Sequence, residues 1–337
     1  MMVRIYLLGL DSRIVNLEQL VTHVREYKGI TRKAPICSVA RRLLGTAKDG
    51  VIASYGEDAA AIKSGGQILL LAADGILEDL VRIDPLWAGY CSVLVNVNDI
   101  AAMGGLPIAM VNVLSCPDEN VRSQIVEGMR SASEKFGVPV VGGHLHPDTG
   151  YTAIDVAILG RTNRTHLILS SRARIGDDVI FAMDLDGRFT PGVPYSWDTT
   201  SRKSSRDVRR RLDVMHELAP HLRSGKDISN PGSLGTLGML LEASGKGAIV
   251  DILSVPRPAG VDLVQWLTAY QGCGFVVTCG PSESKRVLRS FNEVGIAATI
   301  CGRVTGSGRL EVTLGSERAM LFDFSKDVLG CARPQKL

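Results

Sequence analysis

Residues 93–103 run Val-Leu-Val-Asn-Val-Asn-Asp-Ile-Ala-Ala-Met, apolar on nearly every side of a helix yet holding two amides and a carboxylate. A helix that is apolar all round is buried between layers rather than laid on a surface. Asp84-Pro85 opens it, with Asp as N-cap and Pro at the first helical position, and Gly104-Gly105 closes it. Burying Asp99 there costs several kcal/mol unless the carboxylate is paired or holds a cation. No lysine or arginine lies between Leu86 and Gly105 to neutralise it, and Asn96, three residues away, shares its face. Either Asp99 caps a neighbouring loop or pairs with a distant arginine, or it binds a divalent cation.

Other carboxylates favour the cation. Asp74 directly follows the run Ile68–Ala73, at a strand end where α/β proteins place ligands. Asp58 stands in Gly56-Glu57-Asp58-Ala-Ala-Ala-Ile62, between two apolar runs. Three such carboxylates without a Cys/His tetrad suit a hard ion held by oxygen, and Mg2+ typically arrives with substrate phosphates. Two glycine-rich segments could approach those phosphates. Val140-Val-Gly142-Gly143-His144 reads as a strand and a turn whose bare N–H groups reach an anion, or as an ordinary strand end. Lys226-Asp227-Ile-Ser-Asn230-Pro231-Gly232 reads as a helix start capped by Asn230, with Asp227 a metal or nucleotide ligand ahead of it, or as a close helix contact. There is no Walker A sequence and no G-x-G-x-x-G after a strand, which argues against a P-loop enzyme or a Rossmann dehydrogenase. His144-Leu-His146-Pro-Asp148 leaves a metal-dependent hydrolase as a lesser reading.

Element order gives an α/β (α+β) chain. Helical spacing covers 16–44; strands are expected at 51–54, 59–62, 67–72, 107–114, 138–141 and 151–159, with a helix at 119–136. A polar crossover at 160–177 leads to a second unit with a strand at 178–183 and a helix at 231–244. We divide the chain into a helical arm (1–44), two domains (45–165 and 166–320) and a tail (321–337). The turn-rich segment 187–205 is expected to be an ordered substrate loop offering Tyr195, Trp197 and Asp198. The balance of 38 basic and 35 acidic residues implies no nucleic-acid surface. Seven cysteines without a C-x-x-C pair point to a reducing, cytoplasmic setting, with Cys273 and Cys331 inert. No window reaches the roughly 18 apolar residues of a membrane span, so no membrane partner is expected.

Taken in order, Gly56-Glu-Asp58, Ala73-Asp74-Gly, Asn96-Val-Asn98-Asp99-Ile-Ala-Ala-Met-Gly-Gly-Leu-Pro107, Gly142-Gly143-His144 and Lys226-Asp227-Ile-Ser-Asn-Pro-Gly232 resemble the aminoimidazole ribonucleotide (AIR) synthetase, or PurM-like, superfamily. The wording is most similar to the uncharacterised AIR-synthase-related proteins, including methanogenesis marker protein 2. The resemblance implies a two-domain architecture whose N-terminal domains form an intersubunit β-barrel in a homodimer. It implies ATP as substrate with Mg2+ on Asp58, Asp74, Asp99 and Asp227, and a nucleotide against Gly56, Glu57, Asn98, Gly142, Gly143 and Asn230. His144 and Asp227 would be catalytic, and Arg32-Lys33 would lie over the phosphates. The implied activity is ATP-dependent phosphorylation or activation of a small substrate, with a catalytically silent nucleotide-binding regulator as the alternative. His144 stands where thiamine-monophosphate kinases carry an aspartate, which argues against that activity.

Overall fold

The computed structural model describes residues 16–44, 49–270, 272 and 274–330. The apolar first ten residues, Cys273 and Cys331 lie outside them. The expected helical arm is three helices, α1 (Leu17–Glu26), α2 (Lys28–Thr31) and α3 (Ile36–Leu44). The first domain follows as β1 (Val51–Ala53), β2 (Ala60–Ser64), β3 (Gln67–Gly75), α4 (Glu78–Ile83), α5 (Pro85–Ala102), β4 (Leu106–Ser115), α6 (Glu119–Phe136), β5 (Val140–His146) and β6 (Ala153–Thr162). Its strands form one sheet in the order β1-β2-β3-β6-β4-β5, antiparallel except for β4 and β5, which α6 joins as a parallel crossover. α5 is the buried helix the sequence implies: the Asp84 side chain accepts from Trp87 N at 2.9 Å, and Asn96, Asn98 and Asp99 are all buried. Asp118 caps α6, and Gly137 ends it in the left-handed conformation.

The second domain comprises β7 (Asp178–Met183), β8 (Arg188–Thr190), β9 (Val193–Asp198), α7 (Ser205–Leu218), β10 (Ser224–Asp227), α8 (Gly232–Ser244), β11 (Gly247–Asp251), α9 (Leu263–Leu267), β12 (Gly274–Cys279), α10 (Ser284–Glu293), β13 (Ala297–Thr305), β14 (Arg309–Leu314) and β15 (Glu317–Asp323). Seven of these strands make a sheet ordered β10-β12-β7-β13-β11-β14-β15. Alternate residues of β7 serve two cores. Ile180 and Ala182 face the core shared with α5, α6 and α7, whereas Val179, Phe181 and Met183 face the one holding α1 and α8.

Four local expectations change. The arm is docked: Leu17, Leu20, Val21 and Val24 are buried in the second core, and Arg25 makes two 2.9 Å bonds to Asp327. The segment beginning at 321 is continuous with β15, which belongs to the sheet. Gly142 and Gly143 lie inside β5 rather than in a turn after it, because they pair in register with Val111 and Asn112 of β4. A Cβ at Gly143 would overlap Asn112 O and Oδ1, so the residue is glycine for close strand contact. Pro231, not Asn230, is the N-cap of α8.

The 187–205 segment, expected as an ordered substrate loop, is ordered by the pairing of β8 and β9 into a hairpin. Trp197 is buried against Trp266, and its Nε1 donates to Asp184 O at 3.1 Å. Asp198 accepts from the backbone of Thr200 and Ser201. Both side chains are thus committed to the fold, and only Tyr195 stays half-buried.

Candidate active site

Four carboxylates and two lysines converge where the domains meet. Asp58 comes from the turn before β2, Asp74 from the end of β3, Asp99 from α5 and Asp227 from the end of β10. One ligand oxygen from each of Asp58, Asp99 and Asp227 lies within 4.8 Å of the others. Lys226, beside Asp227 on β10, forms an ion pair with Asp58 Oδ1, and its Nζ also donates to Gly56 O at 3.4 Å. Asp58 Oδ2 and Asn98 Oδ1 are buried without a hydrogen-bond partner. Burial, and then the neighbouring carboxylates, push the Asp99 and Asp227 carboxyls well above the usual range. Burial likewise raises Asp58 against the pull of Lys226. Asp74 is exposed at the rim, yet crowding by protein atoms pushes it up to about 6. Burial disfavours a charged Lys226, but Asp58, Glu57 and Asp227 outweigh that and raise its pKa.

This donor set fits a divalent cation. Mg2+ reaches its oxygens at about 2.0–2.1 Å and so collects donors about 3–4 Å apart, which side-chain rotation achieves from the present spacing. Orphaned buried oxygens and crowded carboxylates are what such an ion relieves.

Above the cluster opens a cavity of about 170 Å³ lined by Asp74, Asn98, Asp227, Asn230, Arg32 and Lys33. The two cations follow directly on α2, which sits so closely on Asn230 that a Cβ at Gly29 would overlap the Asn230 carbonyl. Burial lowers the Lys33 pKa, with Asp74 and Asp227 pulling it back. Tyr270 forms part of the wall; it stacks on Tyr195 at 5.2 Å and accepts a bond from Asn230 Nδ2 at 3.4 Å.

Family models for the N-terminal and C-terminal domains of AIR synthase related proteins match residues 56–162 and 187–315. An uncharacterized protein of Methanocaldococcus jannaschii is 43% identical over 324 residues, covering 94% of this chain and 100% of that protein. This chain belongs to the AIR synthase-related family. A thiamine-monophosphate kinase of Synechococcus elongatus is 25% identical over 293 residues, covering 79% of this chain and 88% of its own. The solved structure of Thermotoga maritima PurL complexed with ATP overlays with a TM-score of 0.74 at 17% identity, covering 94% of this chain and 52% of PurL. This AIR synthase-related chain therefore has the PurM-like two-domain fold and spans about half of PurL. Its arm, with Arg32 and Lys33, precedes both family segments.

The remaining expected residues lie elsewhere. Glu57 turns away from the cavity and accepts from Ser170 N at 2.6 Å and Ser171 Oγ at 2.9 Å, tying the domain crossover to the first sheet. Gly143 and His144 line a separate cavity of about 550 Å³ with Asn112 and Arg122. β5 is three strands from β3, about 14 Å at sheet spacing, so His144 and Asp227 do not meet within one chain. His144 packs on His146 at 4.5 Å, but among the described residues no third metal-ligating group joins them, and the hydrolase reading lacks a site. Lys226, Ser229 and Tyr270 went unassigned from sequence. Lys226 was adjacent to a chosen carboxylate, while Tyr270, in Thr-Ala-Tyr-Gln, carries no local signal.

Proposed function

We propose that this AIR synthase-related protein binds ATP with Mg2+ in the interdomain cavity and uses it to phosphorylate or activate a small substrate. One observation carries the reading: Asp74 and Asp227 line a cavity with Arg32 and Lys33, and Asp227 also belongs to the three-oxygen cluster with Asp58 and Asp99. Its similarity to a thiamine-monophosphate kinase and to a PurL complexed with ATP supports it. Asp58, Asp99 and Asp227 would hold the ion, with Asn98 Oδ1 and Asp74 beside them. A divalent ion bound there would offset the charge of phosphate oxygens, which is the main demand of phosphoryl transfer. Arg32 and Lys33 bind and orient the phosphates from above, and Asp227 accepts a proton from the substrate side.

The reading includes a homodimer. Leu71, Val111, Val113 and Val141 leave an apolar area exposed on the first sheet, around the strand bearing His144, so a second copy there would cover it. The alternative, a nucleotide-binding regulator without turnover, is favoured by the separation of His144 from the carboxylates in one chain.

Thermal denaturation with a non-hydrolysable ATP analogue, in Mg2+ and in EDTA, tests the reading. A ligand at a hundred times its Kd stabilises the native state by about 2.7 kcal/mol. Stabilisation only with Mg2+ supports the site; no shift with any nucleotide overturns it. ATP hydrolysis stimulated by metabolite fractions separates enzyme from regulator.

A further inference from the structure

Lys226 is a buried charge to which the reading above gives no work. It is 2% exposed on β10, and the carboxylate it meets, Asp58, belongs to the three-oxygen cluster. Its ammonium takes Asp58 Oδ1 and leaves Oδ2 buried and unpartnered. One carboxylate thus meets a fixed cation on one oxygen, while its other oxygen is buried and Asp99 and Asp227 stand close by. A divalent ion on Oδ1 would stand in contact with the ammonium, two positive charges sharing one lone-pair region, which is strongly unfavourable in a buried setting.

With the carboxylates ionised, as a bound cation requires, Asp58, Asp74, Asp99 and Asp227 carry four negative charges, of which Lys226 and Lys33 return two. Arg32 stands farther out, at the exposed rim, where phosphates would meet it. Without Lys226 the same carboxylates would carry one more uncompensated charge, and a second divalent ion would be the natural replacement.

We propose that Lys226 is a built-in cation of the cluster, holding the position on Asp58 Oδ1 that a second metal ion would otherwise occupy, so that the site takes one divalent ion with its nucleotide. The proposal rests on the Mg2+-nucleotide reading and specifies the metal count of that site.

The test is to count Mn2+ bound per full-length chain by electron paramagnetic resonance, with saturating non-hydrolysable ATP analogue. The wild type binds one ion. Lys226→Met, with a neutral side chain of similar length, binds two, and coupling between close ions broadens its spectrum. Should Lys226→Met fail to fold, Lys226→Gln keeps a donor for Asp58 while removing the charge, and the same count of two is expected. Two ions in the wild type would overturn the proposal. So would one ion in both wild type and folded variant, which leaves the nucleotide reading standing. No Mn2+ in the wild type would overturn both.

Discussion

Asp99 is held above the ordinary carboxylate range by burial and by Asp227, Asp74 and Asp58, so its ionised form works against folding when no cation is present. Asp99→Asn keeps the shape and removes that charge. We expect its melting temperature in EDTA to equal or exceed the wild type's, while Mg2+-dependent nucleotide affinity falls by at least about tenfold, or 1.4 kcal/mol. Calorimetry and thermal melts read the two effects separately. Asp74 sets a pH window with opposite signs for the free and bound protein. Its folded pKa of about 6 lies above the ordinary 3.8 of an aspartate, so the folded state binds the extra proton between them. The contribution of Asp74 to the stability of the metal-free protein therefore falls as pH rises through that interval and levels off above about 6, while Asp99 and Asp227, raised further, extend the fall to higher pH. Metal binding needs the ionised form, so Mn2+ affinity falls as pH drops through about 6. Urea unfolding in EDTA and Mn2+ titrations from pH 5 to 8 would show the two trends. Asp58, Asp74 and Asp99 were legible because each sits against an apolar run, and Asp227 because a helix start at Asn230-Pro231-Gly232 follows it. The cation was not: a search along α5 found none, and Lys226 comes from a strand 127 residues beyond Asp99.

Elements with strong terminal signals were readable almost to the residue. α6 falls at Glu119–Phe136, between the Asp118 cap and Gly137, and β7 at Asp178–Met183, an apolar run after Gly176-Asp177. Elements made by pairing were not. Ser224-Gly-Lys-Asp227 has no apolar alternation and becomes β10 through its ladder with β12. The β8–β9 hairpin hides in turn-forming residues, yet it bridges the domains, with Trp87 Nε1 of α5 donating to Ser196 Oγ at 2.8 Å. Trp197 belongs to the core beneath it. Trp197→Ala should cost about 3–5 kcal/mol of stability, the usual range for a buried tryptophan. Urea denaturation would measure it, and a stable variant with altered activity would restore a substrate-contact role.

At the scale of the molecule, two sheets and the helices between them place the carboxylates together, whereas the first sheet's outer area remains open. Val141 is 66% exposed, so Val141→Asp should change monomer stability by no more than about 0.5 kcal/mol. If that area joins two copies, the substitution converts dimer to monomer in light scattering; an unchanged dimer would place the contact elsewhere. The two-domain division was legible from the polar crossover, but the arm's docking was not, since a short amphipathic helix does not say which core it will join. That docking has a consequence for how the protein is made. α1 buries its apolar face in the core that includes Leu321 and Phe322, and Arg25 grips Asp327. During synthesis α1 must wait for some 300 further residues, roughly 15 to 60 s at 5–20 residues per second. The segment that brings Arg32 and Lys33 over the carboxylates is thus translated well before the residues that hold its neighbour α1 in place exist.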